Sequence, residues 1–83
     1  MEIRGETEKL LLSGQATIEE ITVTYLNGGT VTGFIRNITA SPFGLTLQKK
    51  NFSKREKTIH TVEFAHVTKL EVYFKDGSVK VFT

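Results

Sequence analysis

Ile21-Thr22-Val23-Thr24-Tyr25-Leu26-Asn27-Gly28-Gly29-Thr30-Val31-Thr32-Gly33-Phe34-Ile35 is the stretch that decides the fold. β-Branched and aromatic residues dominate both of its arms, and apolar and polar positions alternate with a period of two, the pattern of half-buried strands. Between the arms, Asn27-Gly28-Gly29 supplies the positive φ angles that a tight hairpin turn needs. Gly33 interrupts the second arm, and a glycine inside a strand predicts a sharp bend or bulge, the device by which a small sheet curls.

Working outward from the hairpin, the same signals recur. The second arm continues through Ile38 to Ala40, and Ser41-Pro42-Phe43-Gly44 predicts a turn. Leu45-Thr46-Leu47-Gln48-Lys49 alternates again, and a polar loop follows over residues 49–57. Thr58-Ile59-His60-Thr61-Val62-Glu63-Phe64 sets His60, Val62 and Phe64 on one face of a further strand. Another strand spans residues 67–74, the Asp-Gly signature in Lys75-Asp76-Gly77-Ser78 marks a second hairpin, and Val79-Lys80-Val81-Phe82 completes it. Upstream, Thr17-Ile18-Glu19-Glu20 has the spacing of a helix capping box. The β-branched run after it outweighs that signal, and a strand is predicted over residues 20–26. Residues 5–13 predict a short helix: Glu6 and Glu8 suit its positive end, Lys9 and Leu10-Leu11-Leu12 are good helix formers, and Gly14 closes it. An added edge strand is the alternative there.

The pattern is mainly β. It predicts a single domain over residues 1–83, a small SH3-like barrel or strongly bent sheet of five to six strands behind a short N-terminal helix, with a hairpin extension over residues 73–83. A PUA-like pseudobarrel is the alternative. Eighty-three residues bury a modest core, and the chain has no cysteine to staple it. Self-association into a homo-oligomer is therefore expected. Tyr73-Phe74 adds to that expectation, since neighbours on a strand point to opposite faces. No apolar run reaches the length of a membrane span, and the first residues lack the pattern of a secretory signal, which predicts a soluble cytoplasmic protein with no membrane partner.

Charge is unevenly divided. Residues 1–31 hold five Glu against Arg4 and Lys9, a net of −3, whereas residues 32–83 hold nine Lys/Arg against four acids, a net of +5. The basic excess concentrates in Lys49-Lys50-Asn51-Phe52-Ser53-Lys54-Arg55-Glu56-Lys57. Cations there would neutralise phosphates and Phe52 could stack on an unpaired base, a combination suited to single-stranded nucleic acid. The plainer reading is a solvated loop with Phe52 tucked onto the sheet. Arg36, with Asn37, could extend a binding surface made of Lys49, Lys50, Asn51, Phe52, Lys54, Arg55 and Lys57, or could simply be outward-facing strand residues. Two histidines, His60 and His66, fall short of the three or four ligands a metal needs, and neither has a Ser or Cys partner by spacing. No cofactor, no metal and no catalytic role are expected.

The hairpin also resembles the first motif of the Sm-like, or Hfq-like, RNA-binding family. There a strand ends in Asn-Gly and the next carries a glycine two residues before an aliphatic one, as in Gly33-Phe34-Ile35. Phe43-Gly44-Leu45-Thr46-Leu47 is similar to the motif's end, and Val67-Thr68-Lys69-Leu70 resembles the strand that closes the family's barrel. Thr39 stands where that motif usually has aspartate, and the Arg-Gly step and Lys-His pair of the later motif are absent. The resemblance implies an Sm-like barrel and RNA binding on a ring. The function expected is a non-catalytic, regulatory module for single-stranded RNA. A protein-interaction module using an exposed sheet edge is the alternative.

Overall fold

Tyr25 donates its N–H to the Gly29 carbonyl at 2.9 Å and Gly28 returns one to the Tyr25 carbonyl at 2.9 Å, with Gly28 at φ 85°. The Asn27 side-chain oxygen accepts from the Gly29 N–H at 2.8 Å and braces the turn. The second hairpin repeats this chemistry: Phe74 N–H to Ser78 carbonyl, Gly77 at φ 92°, and Asp76 accepting from the Ser78 N–H. Both turns lie where the Asn-Gly and Asp-Gly signals predict them.

The computed structural model describes residues 5–49 and 58–83. It contains helix α1 (Gly5–Gly14) and strands β1 (Ile18–Tyr25), β2 (Thr30–Ala40), β3 (Phe43–Lys49), β4 (Ile59–Thr61), β5 (Val67–Phe74) and β6 (Val79–Phe82), with one-turn 3₁₀ helices at Gln15–Thr17 and Phe64–His66. The six strands form one antiparallel sheet in the order β4-β3-β2-β1-β5-β6. The chain is mainly β with a short leading helix, as its residues predict. Closure into a barrel does not follow. β4 has only three paired residues, and the outer side of β5 is taken by β6, so the sheet stays open with β4 and β6 as its edges. Phe43 and Gly44, expected in a turn, already belong to β3, and the strand expected over residues 58–64 gives way to 3₁₀ backbone at Phe64.

One face of the sheet carries the core. Ile18, Ile21 and Val23 of β1, Leu45 and Leu47 of β3, and Val67, Leu70 and Val72 of β5 are buried together with Val62. Helix α1 lies against β2 and contributes Leu11, fully buried, with Thr7 one turn earlier on the same side. Burying each such aliphatic side chain contributes about 1.5–3 kcal/mol, and this cluster is the main source of cohesion in a chain without disulfides.

Strict alternation would put Ile18 and Val67 on the wrong side, and would split the half-buried Ile35 and Ile38 that pack against the core, because Ile18 and Ile21, Ile35 and Ile38, and Val67 and Leu70 are three apart rather than two. Each gap coincides with a register shift. Between Ile18 and Glu20 the extra residue is Glu19, between Ile35 and Asn37 it is Arg36, and opposite the Thr24–Tyr25 step it is Thr68. A bulge adds one residue to one strand and resets the phase of alternation. The glycine predicts the irregularity of β2 at Gly33, whereas the bulge sits three residues later, at Arg36.

Gly33 serves close approach instead. A Cβ built there would lie 2.4 Å from the Gln48 carbonyl oxygen and 2.9 Å from its carbon, both backbone atoms that cannot swing aside. The opposite face of the sheet carries a threonine-rich row, with Thr22 and Thr32 hydroxyls 2.8 Å apart, and four half-exposed apolar residues, Phe34, Ile59, Val79 and Val81. Gly33→Val should cost about 2 kcal/mol or more in chemical denaturation. Gly44→Ala, whose Cβ meets only the Thr39 hydroxyl, should cost clearly less. Equal midpoints for the two variants would place the steric constraint elsewhere.

Candidate functional site

Of the residues that the sequence singles out for RNA, Lys50, Asn51, Phe52, Lys54, Arg55 and Lys57 lie outside the described residues. Lys49 ends β3 opposite Gly33, half-buried, and its N–H donates to the Thr58 carbonyl at 2.8 Å. That bond ties together the two ends from which the basic segment departs. Arg36 is exposed in the β2 bulge beside Leu47 and Thr46, so the register keeps it apart from Lys49.

The structure assembles a cleft of about 370 Å³ between the first hairpin turn and the end of β4. One wall is the first hairpin turn, Tyr25-Leu26-Asn27. The other is His60 and Thr61 of β4 with Glu63 and His66 from the next turn. The Leu26 N–H donates to the His66 carbonyl at 2.8 Å and clamps the two walls together. His60 pairs opposite the buried Leu47, which turns its ring inward, and there it meets Tyr25. The Tyr25 hydroxyl and His60 Nε2 are 2.5 Å apart, and the rings meet edge-on at 5.7 Å and 76°.

Electrostatics keep both rings neutral near pH 7. Burial pushes the Tyr25 hydroxyl above its ordinary value, a backbone hydrogen bond from Glu63 opposes this, and the Glu63 charge adds to it. Burial also lowers the His60 value, the nearby Lys49 charge lowers it further, and Glu63 works the other way. A phenol held more firmly to its proton is the reverse of an activated nucleophile. The Glu63 carboxylate lies 3.8 Å from His66 Nε2, an ion pair only when that ring is protonated. Among the described residues, no group of three His, Cys, Asp or Glu is arranged to hold a metal. The cleft offers ring edges, the exposed Leu26 side chain, the Asn27 amide and a carboxylate. Apolar ring surface and a few hydrogen-bonding groups thus line one concave site.

On sequence grounds Tyr25 is one of six aromatics, with Phe34, Phe64, Tyr73, Phe74 and Phe82, that either pack the core, the default for most, or form a base-stacking platform. His60 is a structural or surface histidine on the same grounds, and the cleft is missed. The available signal was the alternation that set His60 on the same face as Val62: an inward polar ring near a strand end needs a partner. Nothing in the spacing identifies that partner as Tyr25, 35 residues away.

Because folding lowers the His60 value below that of the unfolded chain, the unfolded state binds the extra proton first as pH falls. Stability should therefore be full above the unfolded imidazole value of about 6.5 and decline as pH drops through it toward the lower folded value. Denaturant midpoints of the parent chain and His60→Gln, compared at about pH 7.5 and pH 5.5, measure this, and the variant should lose less on acidification. An equal loss in both would show that another group carries the pH dependence. No protein-family model, no curated protein and no solved structure matches the chain.

Proposed function

We propose that this chain is a non-catalytic RNA-binding module in which an unpaired base enters the Tyr25–His60 cleft and the adjoining basic segment, residues 49–57, follows the phosphates. The observation that carries the reading is the position of Lys49. It stands close enough to His60 to depress its proton affinity, and it begins the most cationic stretch of the chain. A cleft suited to a ring and the first cation of that stretch thus lie close together, the pairing that single-strand binding uses. The resemblance of residues 21–35 to the Sm-like hairpin supports the same reading. Basic residues at both ends of the segment would release counterions, and stacking on the rings would tolerate many sequences. A regulatory role in the cytoplasm fits a small module of this kind.

Filter binding of an unstructured RNA across a salt series tests the proposal. Replacing Lys49, Lys50, Lys54 and Arg55 with glutamine should weaken binding and flatten the log–log salt slope by about 0.7 for each phosphate left without a cation. Tyr25→Leu, with folding checked by circular dichroism, should weaken binding by about 1–3 kcal/mol and leave the slope unchanged. Absence of binding at low salt, or a fourfold variant that binds as tightly as the parent, would overturn the proposal.

A further inference from the structure

The phase of the β5–β6 ladder determines what the outer edge of β6 offers. Phe74 and Ser78 form a hydrogen-bonded pair, with Phe74 N–H to Ser78 carbonyl at 2.9 Å. Antiparallel pairs alternate between bonded and non-bonded, and the register sets Lys80 opposite Val72, Phe82 opposite Leu70, and Val79 and Val81 opposite Tyr73 and Glu71. Lys80 and Phe82 therefore turn their backbone groups toward β5. Val79 and Val81 turn theirs outward, to an edge that pairs with no strand among the described residues. The same two valines put their side chains on the helix-free face of the sheet, where they are 50% and 52% exposed. The edge carries neither proline nor bulge, two devices that commonly blunt such strands. Its one charge, Lys80, leans over the Phe82 ring at 5.6 Å.

We propose that β6 joins two copies of this chain, antiparallel about a two-fold axis at Val81. The segment Val79-Lys80-Val81-Phe82-Thr83 is self-complementary in that register. Val81 stands opposite Val81 of the second copy and Val79 opposite its Thr83, so the outward N–H and C=O groups meet in bonded pairs. Lys80 falls opposite Phe82 of the second copy, which repeats across the interface the cation-over-ring arrangement already made within one chain. Sliding the register by two residues to centre on Lys80 sets Lys80 against Lys80, a like-charge pair that destabilises a sheet. The valines of both copies merge into one apolar strip, and the two sheets become one. A four-residue edge buries little area, so the dimer forms in the micromolar range or above. None of the cleft residues lies on β6, so the pairing stands independently of RNA binding.

Sedimentation of the intact chain between about 5 and 500 µM should show the mass doubling. Val81→Pro should remain folded by circular dichroism, because the Val81 N–H takes no part in the β5–β6 ladder, and should abolish the doubling. The chain has no cysteine of its own, which allows a second readout. Bonded antiparallel partners stand about 5.5 Å apart at Cα, within disulfide reach, so oxidised Val81→Cys should crosslink into a dimer while Val79→Cys stays monomeric. A parent chain that is monomeric throughout overturns the proposal. So does a folded Val81→Pro that still dimerises, or a Val79→Cys that crosslinks as readily as Val81→Cys. Should Val81→Pro unfold, the two cysteine variants decide alone.

Discussion

At Gly33 the backbone of β2 passes so near the Gln48 carbonyl that no side chain fits between them. This close approach controls the rest of the sheet, because Gly33 is also paired on its other side with Ile21, a fully buried residue of β1. The same position thus joins the first hairpin to β3, and it sets where Lys49, directly opposite, leaves the sheet. Any side chain there would push β3 away from β2. It would loosen Leu45 and Leu47 from the core and shift the wall of the cleft that His60 forms by pairing with Leu47.

The three bulges act on the same problem from the other direction. A β-sheet with one apolar face tolerates no slip of one residue, since every side chain after the slip changes face. Here the apolar-polar-polar-apolar tetrads Ile18–Ile21, Ile35–Ile38 and Val67–Leu70 would each break the alternation, and one extra residue in each restores it. Two of these bulges fall between β1 and β5, so that pair of strands is bent at both of its ends. The hydroxyl pair Thr22–Thr32 marks the straighter middle of the opposite face.

Much of this is legible in the sequence, for identifiable reasons. The hairpins at Asn27-Gly28 and Asp76-Gly77 declare themselves because only glycine takes the required φ cheaply, and the helix at residues 5–14 follows from Glu6, Glu8 and the leucine run. The tetrads are equally present in the sequence, yet they read as plain strand until the register shows their meaning. Barrel closure is expected from strand count and from Gly33, but counts do not say which edges meet. That depends on β5 pairing along β1 while the short β4 stays at the far edge, non-local pairings that carry no local signature. The cleft is hidden for the same reason. Tyr25 reads as one more aromatic in a strand and His60 as an isolated histidine, and the β3–β4 register, with the clamp from Leu26 to the His66 carbonyl, brings them together.

The placement of the two proposed surfaces has a further consequence. The cleft is built from the first hairpin turn, β4 and the turn after it, while the pairing edge is β6, at the other end of the strand order. A two-fold axis beside β6 therefore leaves both clefts open, one toward each end of a continuous sheet. One RNA strand long enough to reach both would meet the second cleft at an effective concentration set by the intervening nucleotides, so two weak grips could sum to tight binding with no additional interaction. The same geometry couples the surfaces thermodynamically. A ligand that bridges two clefts binds the dimer better than the monomer, so it strengthens the β6 pairing by as much as the pairing strengthens its own binding. A short interface suits such coupling, because an edge of four residues leaves the chain free to separate when no bridging strand is present.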